Sequence, residues 1–229
     1  MSIFAHPPPP EPPGGTSPPV LAHQIVRPPA RRKVPVEVDL AFTIDRTGSS
    51  AEFARGIVTA VPMIANAIAE RAAKVRCFLQ SHGDLDYHEH PVMLVSDGTT
   101  EMVAEEVSRM QFGGGGDALE HHLDGVKSLF ETVPWRGNRL RSRSCLVLFS
   151  TADTKPLTSG MSAEALGAML REAGVLVYAV AEPSQGIEAL VKAADGLSFA
   201  ISNDPSPEEM RSIAAKVAAS ISASIGQAA

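Results

Sequence analysis

From Val34 onward the chain alternates short, β-rich apolar runs with longer helical patterns, and this restricts the fold more than any other feature of its 229 residues. Val36 to Ile44 (VEVDLAFTI), Lys74 to Gln80 (KVRCFLQ), Pro91 to Ser96 (PVMLVS), Ser144 to Ser150 (SCLVLFS), Val175 to Val180 (VLVYAV) and Leu197 to Ile201 (LSFAI) have the length and side chains of strands. Helical patterns cover Ser49 to Ala73, with a kink expected at Pro62, then Thr99 to Met110 and Asp117 to Glu131. Two more run from Met161 to Ala173, stopped by Gly174, and from Ile187 to Ala194, stopped at Asp195 and Gly196. Pro207 to Ile225 closes the chain as an amphipathic helix, with Ser206 as N-cap and Pro207 in the first helical position. Strands separated by helices need crossover connections. The expected fold is therefore α/β: a doubly wound, Rossmann-like, mainly parallel six-stranded sheet with helices on both faces. The polar joint from Ser81 to His90 is short enough for a hairpin, so the third strand is expected to be the one antiparallel member.

Residues 1–33 do not fit that pattern. Pro7 to Pro10, Pro12, Pro13, Pro18, Pro19, Pro28 and Pro29, with Gly14 and Gly15 between them, favour extended polyproline II and supply no core, so a tail or linker is expected there and one domain over 34–229. The 44% apolar content suffices for a core of that size. A formal charge of −6 argues against nucleic acid as a partner, the only basic run being Arg27, Arg31, Arg32 and Lys33. No stretch approaches the roughly 20 apolar residues that span a bilayer, and MSIFAHPPPP has no leader pattern, so a soluble, cytoplasmic protein without membrane contact is expected. Cys77 and Cys145 each lie inside an apolar run and are expected to be buried thiols.

In a doubly wound sheet, ligands collect at the carboxyl ends of the strands. The first strand runs into Asp45-Arg46-Thr47-Gly48-Ser49-Ser50, whose alternation directs Asp45, Thr47 and Ser49 towards one centre. All three offer the hard oxygens that Mg²⁺ selects. The run Gly113 to Gly116 delivers Asp117 at the start of a helix, and the fourth strand ends in Ser150-Thr151-Ala152-Asp153. Three loops at one edge thus each supply an oxygen donor.

The order strand, D-x-T-G-S, helix, hairpin, helix, Gly-rich loop, helix, strand, acidic loop resembles the von Willebrand factor A family over roughly Val34 to the C-terminus. That resemblance implies a metal-ion-dependent adhesion site. Asp45, Thr47 and Ser49 match its D-x-S-x-S element, with Thr for Ser, and Asp117 stands where the family's Thr usually does. The loop GGGGDALE is similar to a prokaryotic variant with a Gly-Gly-x-Gly-Asp loop, in which a Glu, here Glu120, follows three residues later. For the final acidic ligand, alignment by the strand end selects Thr151 and alignment by Pro156 selects Asp153; Asp153 is preferred because only a carboxylate brings charge. The resemblance implies Mg²⁺, or Mn²⁺ or Ca²⁺, and a protein-binding adaptor in a multicomponent bacterial system. The implied partner is a MoxR-type AAA ATPase or another component of that system, met by loops 46–50, 112–120 and 151–158.

Two other functions fit parts of the pattern. A Mg²⁺-dependent phosphatase of the haloacid dehalogenase kind also starts from a strand ending in Asp, but needs a second Asp two residues on as general acid, where this chain has Thr47. Catalysis is accordingly not expected. A metal-free scaffold with a degenerate site is the other alternative. The ligand-rich segment Ser81 to His90, with Asp84, Asp86, His88 and His90, is expected to be a solvated hairpin, and His121 and His122 to lie on the surface, since no i, i+4 zinc pairing is present.

Overall fold

A computed structural model describes residues 34–227 except 52, 117, 139, 203 and 204. The Pro-rich tail and Asp117 lie outside the described residues.

The elements follow in the order β1 (Val34–Asp45), α1 (Ala54–Ala69), β2 (Ala72–His82), β3 (Val92–Gly98), α2 (Thr100–Arg109), β4 (Leu119–Glu120), α3 (His122–Thr132) and β5 (Ser142–Ser150). Then come β6 (Asp153–Thr154), α4 (Ala163–Glu172), β7 (Val175–Ala181), α5 (Gln185–Ala193), β8 (Leu197–Ala200) and α6 (Pro207–Gly226). Six strands form the main sheet in the order β3-β2-β1-β5-β7-β8. All its pairings are parallel except β2 with β3, so the hairpin expected from the short polar joint is present. Among the described residues no helix is long and apolar enough to cross a membrane.

Strand alternation sorts β1 into two unlike faces. Val36, Val38, Leu40, Phe42 and Ile44 pack with Ile57, Val61, Ile64 and Ile68 of α1, Val103 and Val107 of α2, and Met210, Val217 and Ile221 of α6. The opposite face presents Asp39, Ala41, Thr43 and Asp45 towards the layer of α3, α4 and α5, whose core includes Ala41, Leu123, Val126, Leu166 and Leu190. Cys77 and Cys145 are free and buried, and burial pushes both thiols up to about 12.

Three boundaries differ from the sequence expectation. The helix expected from Asp117 starts only at His122, because Leu119 and Glu120 are extended and pair in parallel with Asp153 and Thr154 of β6. The stretch after Asp45 first makes a 3-10 turn over Gly48–Ser50, and α1 begins at Ala54. Pro62 sits inside a continuous α1; the acceptor it leaves is the carbonyl of Val58, an exposed residue where water can substitute. Ser206 caps α6 as expected, accepting from the Glu209 amide at 3.1 Å.

At the N-terminal end of the sheet, fully buried Asp39 is the acceptor for two arginines. It takes Arg76 Nε at 2.8 Å, Arg136 Nε at 2.9 Å, the Arg136 amide at 2.8 Å and Ser144 Oγ at 3.1 Å. This ties β1, β2, β5 and the 134–137 loop together far from the opposite edge. Asp39→Ala should lower stability by about 3 kcal/mol, the low end for a broken buried pair because both guanidiniums keep some water. Urea unfolding should show a lower midpoint at unchanged slope; an unchanged midpoint would make the cluster energetically idle.

Candidate metal centre

At the carboxyl edge, β1 ends in a carboxylate that four segments enclose. Asp45 is fully buried. Its Oδ1 accepts the Thr47 amide at 2.9 Å, and its Oδ2 accepts Thr47 Oγ1 at 3.0 Å and Ser50 Oγ at 2.7 Å. Thr47 Oγ1 lies 2.9 Å from the hydroxyl of exposed Ser49. The structure therefore brings Asp45, Thr47 and Ser49 together as the D-x-T-G-S spacing predicted.

The Gly run is laced to this loop through backbone bonds, Gly48 N to the Gly114 carbonyl at 3.1 Å and Gly113 N to the Arg46 carbonyl at 2.8 Å. Gly114 and Gly115 have φ of +96° and +68°, conformations that side chains rarely tolerate. At Gly115 the lack of a side chain also makes room: a Cβ there would stand 2.8 Å from Glu120 Oε1 and 3.3 Å from Thr47 Cβ. Glu120 thus reaches the Thr47 side of the cluster. Its placement comes from β4, whose pairing with β6 is continued by Lys155 N donating to the Glu120 carbonyl at 2.8 Å.

Glu120 is 2% exposed, and its Oε2 has no hydrogen-bond partner. Burial, then the neighbouring charges of Asp45 and Asp84, push its carboxyl up to about 8, with Lys155 and Thr47 only partly opposing. The nearest ammonium is committed elsewhere: Lys155 Nζ contacts Asp84 Oδ2 at 2.9 Å and Asp86 Oδ2 at 2.7 Å. Asp84 is also fully buried; burial raises its carboxyl, yet bonds from Lys155, the Asp86 amide and His121 together hold it below the usual range. Asp84, Asp86 and His121 have ligand atoms close enough to share an ion, but the Lys155 ammonium already bridges both carboxylates.

The donors around Asp45 fit a divalent cation. The carboxyls of Asp45 and Glu120 and the hydroxyls of Thr47 and Ser49 are hard oxygens, and one Glu120 oxygen is buried without a hydrogen-bond partner.

The third loop differs from the preferred alignment. Thr151, through a 2.9 Å contact with Ser50 Oγ, is the member joined to the Asp45 network. Asp153 is exposed, accepts the Thr154 amide at 2.7 Å and bonds the Ser184 hydroxyl, which precedes α5. The structure does not bring it into hydrogen-bond contact with Asp45, Thr47 or Ser49.

The two histidines expected on the surface are buried instead, His121 at 5% and His122 at 0% exposure. The cause is the late start of α3, which turns both residues inward. His122 Nδ1 is 3.0 Å from Nε2 of fully buried His82, whose Nδ1 is 2.9 Å from Thr43 Oγ1. Burial first, then His122, push His82 down to about 3 against the pull of Asp45, and burial likewise lowers His122, so both rings are neutral. His82 falls in the Ser81 to His90 segment that the sequence marks as a solvated hairpin, but β2 runs on through it, Phe78, Gln80 and His82 alternate, and the parallel register sets His82 beside Asp45.

The raised Glu120 carboxyl gives the metal-free chain a defined pH dependence. Unfolded Glu120 loses its proton near 4.5, while the folded residue keeps it to about 8. The folded chain therefore binds more protons in that window, and this contribution to stability, full below pH 4.5, is lost as pH rises through about 8. In chelator, Glu120→Gln should flatten the decline between those limits in denaturation series; an equally steep decline in the variant would assign it to another group.

No protein-family model matches the chain, and no curated protein matches it. Among solved structures, proximal thread matrix protein 1 from the mussel byssus superposes with a TM-score of 0.60 at 12% identity, over 82% of this chain and 46% of that one. The chain thus spans just under half of that protein. The VWA domain of SpRpn10 superposes with a TM-score of 0.57 at 15% identity, over 79% of this chain and 95% of that domain. At such identities the likeness is one of fold, and the fold is that of a von Willebrand factor A domain.

Proposed function

We propose that this chain is a cation-dependent protein-binding module, with the ion held at the carboxyl edge of the sheet by Asp45, Thr47, Ser49 and Glu120. Buried Glu120 Oε2, without a partner beside the Asp45 cluster, carries the reading. A dication adds positive charge beside Asp45 and Glu120, and oxygen-only donors favour Mg²⁺, with Mn²⁺ or Ca²⁺ as alternatives. Asp117, in the same Gly-rich loop, is a further proposed ligand on sequence grounds.

Ser49 and Gly113, Gly114 and Gly116 are exposed around the cluster, and Leu119 is 41% exposed beside it. A partner would be met by this rim. The likeness of GGGGDALE to the prokaryotic variant makes a MoxR-type AAA ATPase, or another protein of the same bacterial system, the first class to test.

Mg²⁺ or Mn²⁺ at about a hundred times its Kd should add roughly 2.7 kcal/mol, seen as a melting point higher by about 5–10 °C. Glu120→Gln and Ser49→Ala should shrink that rise while leaving the metal-free chain folded. Partner capture should fall in EDTA and return on adding Mg²⁺. A melting point indifferent to either ion at millimolar concentration would contradict the proposal.

A further inference from the structure

Beneath α3, Asp45 also belongs to a seam of buried polar side chains whose other members the oxygen cluster does not use. Thr43 and Asp45 come from β1, Gln80 and His82 from β2, and His122 from the first turn of α3, and all are at most 2% exposed. Aliphatic side chains normally fill such a layer, as Leu123, Val126 and Leu146 do nearby. This seam carries instead one carboxylate and two neutral imidazoles, with one ligand atom of each of Asp45, His82 and His122 within 4.8 Å of the others.

Three features set this group apart from a polar patch that only satisfies itself. First, the facing nitrogens of His82 and His122 are 3.0 Å apart with rings at 80°, close to the roughly 3.3 Å between two nitrogens bound to one tetrahedral ion. Second, His82 is oriented from behind. Its Nδ1 rests on Thr43 Oγ1, which accepts Gln80 Nε2 at 3.1 Å, and Gln80 is itself fixed by the Gly125 carbonyl at 2.8 Å and Ser128 Oγ at 3.1 Å. A ligating imidazole is commonly held through its other nitrogen in this manner. Gly125 also leaves space for the ring, since a Cβ there would lie 2.6 Å from His82 Cγ. Third, His122 is likewise approached from behind by backbone, that of Ala152, while its Nδ1 faces His82 and its Nε2 is buried.

We infer that Asp45, His82 and His122 form a second metal position for a borderline transition-metal dication of the Zn²⁺ or Co²⁺ class, inside the fold and behind the oxygen cluster. Two imidazoles and one carboxylate suit such ions and suit Mg²⁺ or Ca²⁺ poorly. The position shares Asp45 with the proposed oxygen site but does not rest on that reading.

The test uses the untagged full chain, stripped with chelator and titrated with Co²⁺. Visible d–d absorption should rise and saturate at one equivalent, be abolished by Zn²⁺ and persist in excess Mg²⁺. Ser49→Ala and Glu120→Gln, which impair only the oxygen cluster, should keep the signal, whereas His122→Ala should weaken Co²⁺ binding by at least about tenfold. X-ray absorption of the Zn²⁺-loaded wild type, which needs no variant to fold, should show two imidazoles on the metal. Absence of Co²⁺ absorption from the folded wild type, loss of it to Mg²⁺, its full retention in folded His122→Ala, or an all-oxygen shell around Zn²⁺ would each overturn the inference.

Discussion

The carboxylate of Asp45 is fully buried, and the carboxyl edge of the sheet is arranged around it. A buried anion must be surrounded by donors or lose its charge. The donors here come from its own loop, through the Thr47 amide and the Thr47 and Ser50 hydroxyls, and Ser50 passes the contact on to Thr151 at the end of β5. The Gly-rich run is fastened to the same loop by backbone bonds and makes space for Glu120. The Glu120 carboxyl is then set beside Asp45, with one oxygen buried without a hydrogen-bond partner. Asp39 and Asp84, equally buried, are instead paired with protein cations, two arginines and Lys155. That contrast among fully buried aspartates is why an added cation is proposed at the Asp45 edge.

Two sheet faces divide the labour. The aliphatic side of β1 packs against α1, α2 and α6 and supplies ordinary hydrophobic stabilisation. The other side carries Asp39, Thr43 and Asp45 in strict alternation, so polar groups reach from one end of the strand to the other beneath α3. Parallel register then fixes what each meets on β2: Arg76 for Asp39, Gln80 for Thr43, His82 for Asp45. The ion cluster at one end and the candidate metal groups at the other are thus products of a single residue alternation.

Much of this was legible in the sequence because period and length are local signals. The six main strands, the antiparallel β3 and the capped α6 follow from apolar runs, a short polar joint and Ser206-Pro207. Asp45, Thr47 and Ser49 were legible because three donors two residues apart in a turn can converge without help from the rest of the fold. Glu120 was legible as part of the GGGGDALE loop, but its reach to the Asp45 cluster was not, nor was the burial of the histidines. β4 and β6 are two residues long each, too short for any periodicity, and their pairing across 34 positions replaces the first turn of the expected helix. That shift moves His121 and His122 from surface to interior. Asp153 was preferred for its charge, but its hydrogen bond to Ser184 depends on where α5 begins, which strand-end counting does not show.

A cation bound at the Asp45 edge through its oxygen donors would be directly visible. Crystals grown with saturating Mn²⁺ and measured at a wavelength where manganese scatters anomalously test for it most directly. An anomalous peak is expected in contact with oxygens of Asp45, Thr47, Ser49 or Glu120, absent from Asp45→Ala crystals. Crystals in which no Mn²⁺ is found among these residues would contradict it.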